Sequence, residues 1–226
     1  MRSSSSNNYR FERKWIFNTN YLDLLSKSYK SNFNFKIQHP KRTVNSLYFD
    51  DYNQTSVKQN LDGTSDKSKI RLRWYGKNNF IISNAKLELK IKKNFLNYKI
   101  IYPMKDLKNK NIKNKKDVEF ITKKINQTVK KKMLIPTVTT HYDRFYLISL
   151  NNKIRATIDY NLNSVYLKNL SQLDIIKNFP SACILELKYS TKLDKYVREN
   201  LKNITLRLSK NSKFINSAFQ TPIFFS

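Results

Sequence analysis

The sequence predicts an α+β fold in which one sheet carries a strongly charged face and amphipathic helices back its other face. Three observations lead there. Six short stretches, 11–15, 69–74, 87–92, 142–146, 155–159 and 185–188, interleave charged and apolar residues. Side chains along a strand alternate between the faces of a sheet, so Lys, Arg and Glu would gather on one face and Leu, Ile, Trp and Phe on the other. Apolar residues recur at helical spacing in two other stretches: Val118, Ile121, Ile125 and Val129, then Leu193, Val197, Leu201, Ile204 and Leu208. No internal repeat or long linker divides the chain. Residues 9–226 therefore read as a single domain after a polar Ser/Asn-rich lead-in over 1–8, expected to be disordered.

The first strand is expected over 9–17. Asn18 or Thr19 can cap a short helix through about residue 29, with Leu22, Leu25 and Tyr29 on one face. A strand over 44–49 gives way to a loop over 50–55, and Asp62-Gly63 marks a turn. The strand over 69–75 stops at Gly76, and 80–82 and 86–92 read as hairpin partners. A Lys/Asn-rich loop over 105–116 leads into a helix over 117–132, ended by Pro136. Strands over 137–149 and 153–159 meet at Asn151-Asn152, a good hairpin turn. A strand over 182–189 and the last amphipathic helix complete the chain.

Composition narrows the function. The net charge is +28, from 44 Lys and Arg against 16 Asp and Glu, which calls for a polyanionic partner. Lys and Asn are abundant throughout, so part of this charge is compositional. The arginines are few and sit mostly at patterned positions such as Arg71, Arg73, Arg144 and Arg155. The single cysteine, Cys183, excludes an intramolecular disulfide, fits a reducing cytoplasm and lies in an apolar run that reads as core. No stretch approaches the ~20 apolar residues of a membrane span, and the N-terminus lacks the apolar segment of a signal peptide.

The chain has two glycines, Gly63 and Gly76, neither in a Gly-rich loop, so a backbone cradle for phosphate is excluded. His39 and His141 have no motif around them and read as structural or surface residues. With one cysteine they cannot build an ordinary structural zinc site. Phosphate, if bound, must be bound by side chains. Arg71 with Arg73, Glu88 with Lys90 and Lys92, Glu12 with Lys14, and Glu186 with Lys188 share parity on their strands. So many cations cannot be buried without anions, and their face must be wet or filled by a polyanion. Arginine suits this because its planar fork binds phosphate oxygens in pairs. The interleaved glutamates are hard oxygen ligands for Mg²⁺ or Mn²⁺.

Residues 10–15 (RFERKW), 46–50 (SLYFD), 69–76 (KIRLRWYG), 87–90 (LELK), 142–144 (YDR), 155–159 (RATID), 184–189 (ILELKY) and 212–214 (SKF) resemble, in order, the motifs of the VTC domain. That is the catalytic domain of the vacuolar transporter chaperone, a polyphosphate polymerase, and one of the triphosphate tunnel metalloenzymes with the CYTH phosphatases and cyclases. The resemblance covers about residues 9–214. It implies an antiparallel eight-stranded β tunnel or barrel with a charged lumen and flanking α-helices. It also implies transfer of the γ-phosphoryl group of ATP to a growing polyphosphate chain with Mn²⁺ or Mg²⁺.

Carried over, Lys14, Arg71, Arg73, Lys90, Arg144, Arg155 and Lys188 would hold the triphosphate and the chain. Lys213 and Lys210 would bind or orient the acceptor. Lys69, Lys92, Lys99, Tyr142 and Ser212 would add phosphate contacts, with the register of Lys99 open. Glu186 would be the main metal ligand and Glu12 the weaker one. The related hydrolases and cyclases begin with Glu-x-Glu-x-Lys, whereas this chain has Arg10 at the first position, which favours the polymerase branch. The SPX domain and membrane helices of the eukaryotic polymerase are absent from the sequence. The resemblance leaves room for a separate membrane-protein partner that would bring a cytoplasmic protein to a membrane face.

Other readings stand beside this one. A tripolyphosphate or nucleoside triphosphate hydrolase would use the same tunnel with water admitted. A non-catalytic polyphosphate or nucleic-acid binding module would follow from charge alone. Base stacking needs aromatics on the charged face, and Phe11, Trp15, Trp74 and Phe145 fall on the other, so nucleic acid is not expected. Tyr142 and Tyr146 do share the parity of Arg144. The plainest reading is a basic β domain whose alternation is surface patterning.

Overall fold

The structure, a computed structural model, describes residues 10–21, 33–93, 96–130, 133–169, 172–179, 182–202, 208–209 and 212–218. Nine strands form one antiparallel sheet: β1 Arg10–Asn18, β2 Phe35–Asp50, β3 Lys67–Tyr75, β4 Ala85–Lys93, β5 Leu96–Met104, β6 Ile135–Ser149, β7 Ile154–Asn169, β8 Gln172–Phe179 and β9 Ala182–Ser190. Eight lie in the order β1-β9-β7-β6-β2-β3-β4-β5, and β8 pairs off this path with β7. Among the described residues four α-helices accompany them: α1 Thr55–Leu61, α2 Lys115–Val129, α3 Asp194–Leu201 and α4 Lys213–Ala218.

The sheet curls until its ends face one another. Among the described residues no ladder joins β1 to β5, and Lys90 of β4 instead lies 4.0 Å from Glu12 of β1. The free edge of β1 is partly taken by the returning chain. Leu208 bridges Trp15, and Ser209 N–H donates to Lys14 O at 2.8 Å. The curl is helped by irregularities in the two longest ladders. The β2–β6 register slips between His39 and Arg42, around Pro40, which has no N–H to donate, and the β6–β7 register slips between His141 and Asp143.

The outer face is apolar and covered. Val118, Ile121 and Ile125 of α2 pack on Leu47, Phe49, Leu72, Trp74 and Leu87 of β2–β4. Val197 of α3 packs on Trp15, Phe17, Ile158, Leu185 and Leu187 of β1, β7 and β9. Each such side chain contributes roughly 1.5–3 kcal/mol by leaving water. Cys183 is a free, buried member of the second cluster, and burial pushes its thiol up to about 12.

Several expectations are corrected. Residues 80–82 are not a strand: Ile81 makes an isolated bridge to Asn111, and β4 pairs with β3 and with the unexpected β5. The residues expected to form the loop 105–116 begin with a 3-10 turn, Lys105–Leu107, and bury Leu107 and Ile112. Helix α2 ends at Lys130, whose φ of 50° is left-handed, and Pro136 instead lies inside β6. The last amphipathic helix stops at Leu201, and Leu208 belongs to the bridge on β1. The lead-in over 1–8 and most of the helix expected through residue 29 fall outside the described residues, although Thr19–Tyr21 form a 3-10 turn. Helix α1 was not anticipated. It is capped by Asp50, whose carboxylate accepts from Ser56 N at 2.9 Å and Val57 N at 3.1 Å. Among the described residues no helix is long and apolar enough to cross a membrane.

Candidate functional site

Alternation along β1, β3, β4 and β9 aims every second side chain at the inner face of the curl, and the registers set them in rows. Glu12 lies opposite Lys188 and Lys14 opposite Glu186. Arg71 lies between Tyr48 and Glu88. Lys69 faces Lys90, which faces Lys99 of β5. Arg144 of β6 lies opposite Asp159 of β7. Together they enclose a cavity of about 300 Å³.

The lining is cationic. Lys14, Lys69, Arg71, Arg73, Lys90, Lys99, Arg144, Lys188 and Lys213 face three carboxylates, Glu12, Glu88 and Glu186. Lys14 Nζ lies 2.7 Å from Glu12 and 3.6 Å from Glu186. Lys188 contacts Glu186 and lies 3.8 Å from Glu12. Glu88 takes Arg71 at 2.6 Å, Lys99 at 2.7 Å and Arg73 at 3.7 Å. Arg73 Nε is buried with no hydrogen-bond acceptor among the described residues.

These pairs fix the protonation states. Burial opposes ionisation of Glu12, but Lys14, Lys188 and Lys90 outweigh it and hold the carboxyl down to about 2. Burial is likewise overcome at Glu88 by Arg71, Arg73 and Lys99, which also hold it to about 2. Glu186 is lowered in the same way: Lys188 and Lys14 prevail over burial and the neighbouring Glu12. Lys69 goes the other way. Burial and then the charges of Lys90, Lys14, Lys67 and Arg71 push it down to about 7.

One end of the cavity is built by α4. Lys213 donates to Asp159, which also takes Arg144 through both oxygens, one of them at 2.7 Å. Asp159 is 1% exposed and stays ionised, because Arg144 and Lys213 outweigh the effect of burial. Tyr142 lies under both cations, 5.2 Å from Arg144 and 4.6 Å from Lys213. Burial raises its hydroxyl, yet Arg144, Arg73 and Lys213 bring it below the usual phenol range. Phe214 stacks on Tyr48, and Ser212 Oγ accepts from Lys69 Nζ at 2.9 Å.

Glu12 and Glu186 test the fit of a divalent cation. They are ionised, on neighbouring strands, and share Lys14 and Lys188 as partners. Among the described residues no three His, Cys, Asp or Glu side chains come together to hold a metal on their own. Two carboxylates suit a Mg²⁺-type ion that completes its shell with phosphate and water. The pair therefore fits an ion brought with a phosphate ligand.

Of the candidates drawn from the sequence, the cavity brings together Glu12, Lys14, Lys69, Arg71, Arg73, Lys90, Lys99, Tyr142, Arg144, Glu186, Lys188, Ser212 and Lys213. Arg155 and Lys92 are not among the residues that line this cavity. Each has the right parity, with Arg155 exposed opposite Lys188 and Lys92 half-buried opposite Lys67. Lys210 lies outside the described residues. The sequence reading gave no role to Asp159, Tyr48, Tyr98 or Phe214, and treated Glu88 only as one of the interleaved glutamates, an oxygen ligand by type. Asp159 was findable: it has the parity of Arg155 and ends a motif. Tyr48 and Phe214 also lie in motifs, 46–50 and 212–214, but an aromatic residue there reads as core.

His141 is outside the lumen. It hydrogen-bonds Thr139 and Asn45, and burial pushes it down to about 4, so it is a neutral structural residue.

Comparison with known proteins agrees with this architecture. A family model described as the VTC domain matches residues 7–221. Among solved structures, a proposed adenylate cyclase from Vibrio parahaemolyticus is 11% identical, with 92% of this chain and 98% of that chain covered and a TM-score of 0.51. The PH1819 protein from Pyrococcus horikoshii OT3 is also 11% identical, with 91% and 96% covered and a TM-score of 0.47. At 11% identity the likeness to the Vibrio protein is one of fold alone. No curated protein matches the chain.

Proposed function

Because the chain belongs to the VTC domain family, we propose that it is a metal-dependent polyphosphate polymerase, transferring the γ-phosphoryl group of ATP to the end of an inorganic polyphosphate chain. The observation that supports this best is a cation-lined cavity whose carboxylates are all held ionised by lysine or arginine. Such carboxylates are poor bases at neutral pH, and no histidine among the described residues lines the lumen. Attack by water benefits from a base to take its proton. Attack by a terminal phosphate oxygen does not, because that oxygen is already ionised.

The reaction then balances without water. An acceptor phosphate oxygen forms a bond to the γ-phosphorus, the bond from that phosphorus to the β–γ bridging oxygen breaks, and ADP leaves. Phosphoryl transfer of this kind relies on positioning and on charge stabilisation of the equatorial oxygens. Arg71, Arg73 and Lys90 from β3 and β4 would grip the donor phosphates. Arg144 and Lys213, fixed by Asp159, would hold the acceptor end. Glu186 and Glu12 would hold Mn²⁺ or Mg²⁺, which when bound neutralises charge on the phosphates and the leaving group. A separate membrane-protein partner would be one route to moving the product.

The test is elongation. Polyphosphate of defined length, incubated with the protein, ATP and Mn²⁺, should lengthen as ADP forms in equal amount. ADP release with orthophosphate and no change in acceptor length would replace this reading with the hydrolase.

A further inference from the structure

Lys69 stands apart from the other cations of the lumen. Lys14, Lys90 and Lys188 each lie within 4.0 Å of Glu12, and Arg71, Arg73 and Lys99 reach Glu88. Arg144 and Lys213 share Asp159. Among the described residues no carboxylate lies within that distance of Lys69, and its ammonium donates to the neutral hydroxyl of Ser212.

Its surroundings are positive on each side that packs against it. Lys67 and Arg71 flank it on β3, Lys90 faces it from β4, and Lys14 acts on it from β1. The acids that line the cavity with it are engaged elsewhere: Glu12 with Lys14, Glu88 with Arg71 and Lys99, and Glu186 with Lys188.

We propose that Lys69 is a proton-linked anchor for the polyanion: it becomes fully charged only as a phosphate group binds beside it, so ligand binding carries a proton into the tunnel. The inference rests on the polyanion reading of the site and deepens it. Burial and like charge hold the free ammonium near neutrality, to about 7. A phosphate oxygen placed among Lys69, Lys90 and Lys14 adds an opposite charge that outweighs both effects and returns the amine to its charged form. The terminal phosphates of tripolyphosphate also exchange a proton in this range, but a cationic site favours its loss, which is opposite in sign to uptake by Lys69 and is shared by a Lys69→Arg chain. Lys90 is also lowered, by burial first, but Glu12 opposes the shift and Lys90 keeps a carboxylate partner.

The experiment is calorimetric titration of the chain with tripolyphosphate at pH 8 in two buffers of different ionisation heat. The wild-type chain should take up close to one proton more than Lys69→Arg, and its affinity should fall relative to that variant by up to about tenfold per pH unit between pH 7.5 and 9. Lys69→Arg, permanently charged, should bind tripolyphosphate with most of this uptake and pH dependence removed. Lys69→Met should bind more weakly and without uptake. Tight binding with the same proton exchange and pH dependence in the wild-type and folded Lys69→Arg chains would overturn the inference and leave the polyanion site standing. Failure of the folded wild-type chain to bind tripolyphosphate at all would overturn the site reading itself.

Discussion

Phe214 stacks on Tyr48 with ring centroids 4.9 Å apart and planes 22° from parallel. Tyr48 shares the inner face with Arg71, whose Nη1 donates to its hydroxyl at 3.3 Å. The last helix is thus pinned inside the charged curl by an apolar contact, with Val57 and Val138 completing the cluster. That contact sets where Lys213 and Ser212 sit, and so shapes one end of the cavity.

Removing the ring should unpin the helix. Phe214→Ala is expected to lower stability by about 3 kcal/mol, the usual loss for a buried phenylalanine. It should also weaken tripolyphosphate binding, although no phosphate contact is altered directly. Phe214→Leu should restore most of both. Urea denaturation and equilibrium binding on the same samples check this.

Arg71→Ala should abolish most ligand binding and leave the fold intact, because Glu88 keeps Lys99 and Arg73 as partners. A charge-assisted hydrogen bond contributes about 1.5–3 kcal/mol, so affinity for a non-hydrolysable ATP analogue should fall roughly 10- to 150-fold. Added salt should weaken the wild-type complex too, as expected for a largely electrostatic site. Unchanged affinity in a folded Arg71→Ala protein would contradict the assignment.

Glu186→Gln separates metal from phosphate. Without metal, loss of one negative charge from the lumen should leave tripolyphosphate affinity equal or slightly higher. With Mn²⁺, turnover should drop by more than an order of magnitude, the scale of losing a metal ligand or its support. Equal loss of binding and turnover would make Glu186 structural.

Acid should unfold the chain through its buried acids. Glu88 titrates at about 2 in the fold against an ordinary value near 4.5, so its ion pairs contribute fully above about pH 4.5. That contribution is lost as pH falls from there toward 2, because the unfolded chain takes up the proton first. Asp159, also lowered by Arg144 and Lys213 against burial, acts in the same direction. Thermal melts from pH 5 to pH 2.5 should show a steep fall in Tm. Glu88→Gln should flatten part of it.

Much of this was legible because strand parity is local. The charged face needed only the alternation in β1, β3, β4 and β9, and Trp15, Trp74 and Leu187 fell on the covered face as parity requires. The rest depended on distance along the chain. Asp159 reaches Arg144 across 15 residues and Lys213 across 54, and no local pattern pairs them. Edge strand β5 exposes Tyr98, Ile100, Ile101 and Tyr102, so it lacks the inside–outside alternation that marks a strand. Helix α1 has seven residues and depends on the caps from Asp50, too short a segment for periodicity to reveal. Parity also does not say which residues of the charged face line the cavity: Arg155 shares that face and is exposed opposite Lys188.

The central claim is that the γ-phosphoryl group goes to phosphate and not to water. The most direct measurement is incubation of the purified chain with γ-labelled ATP and Mn²⁺, with products resolved on a gel. The account predicts a ladder of labelled polymer. Labelled orthophosphate without a ladder would contradict it.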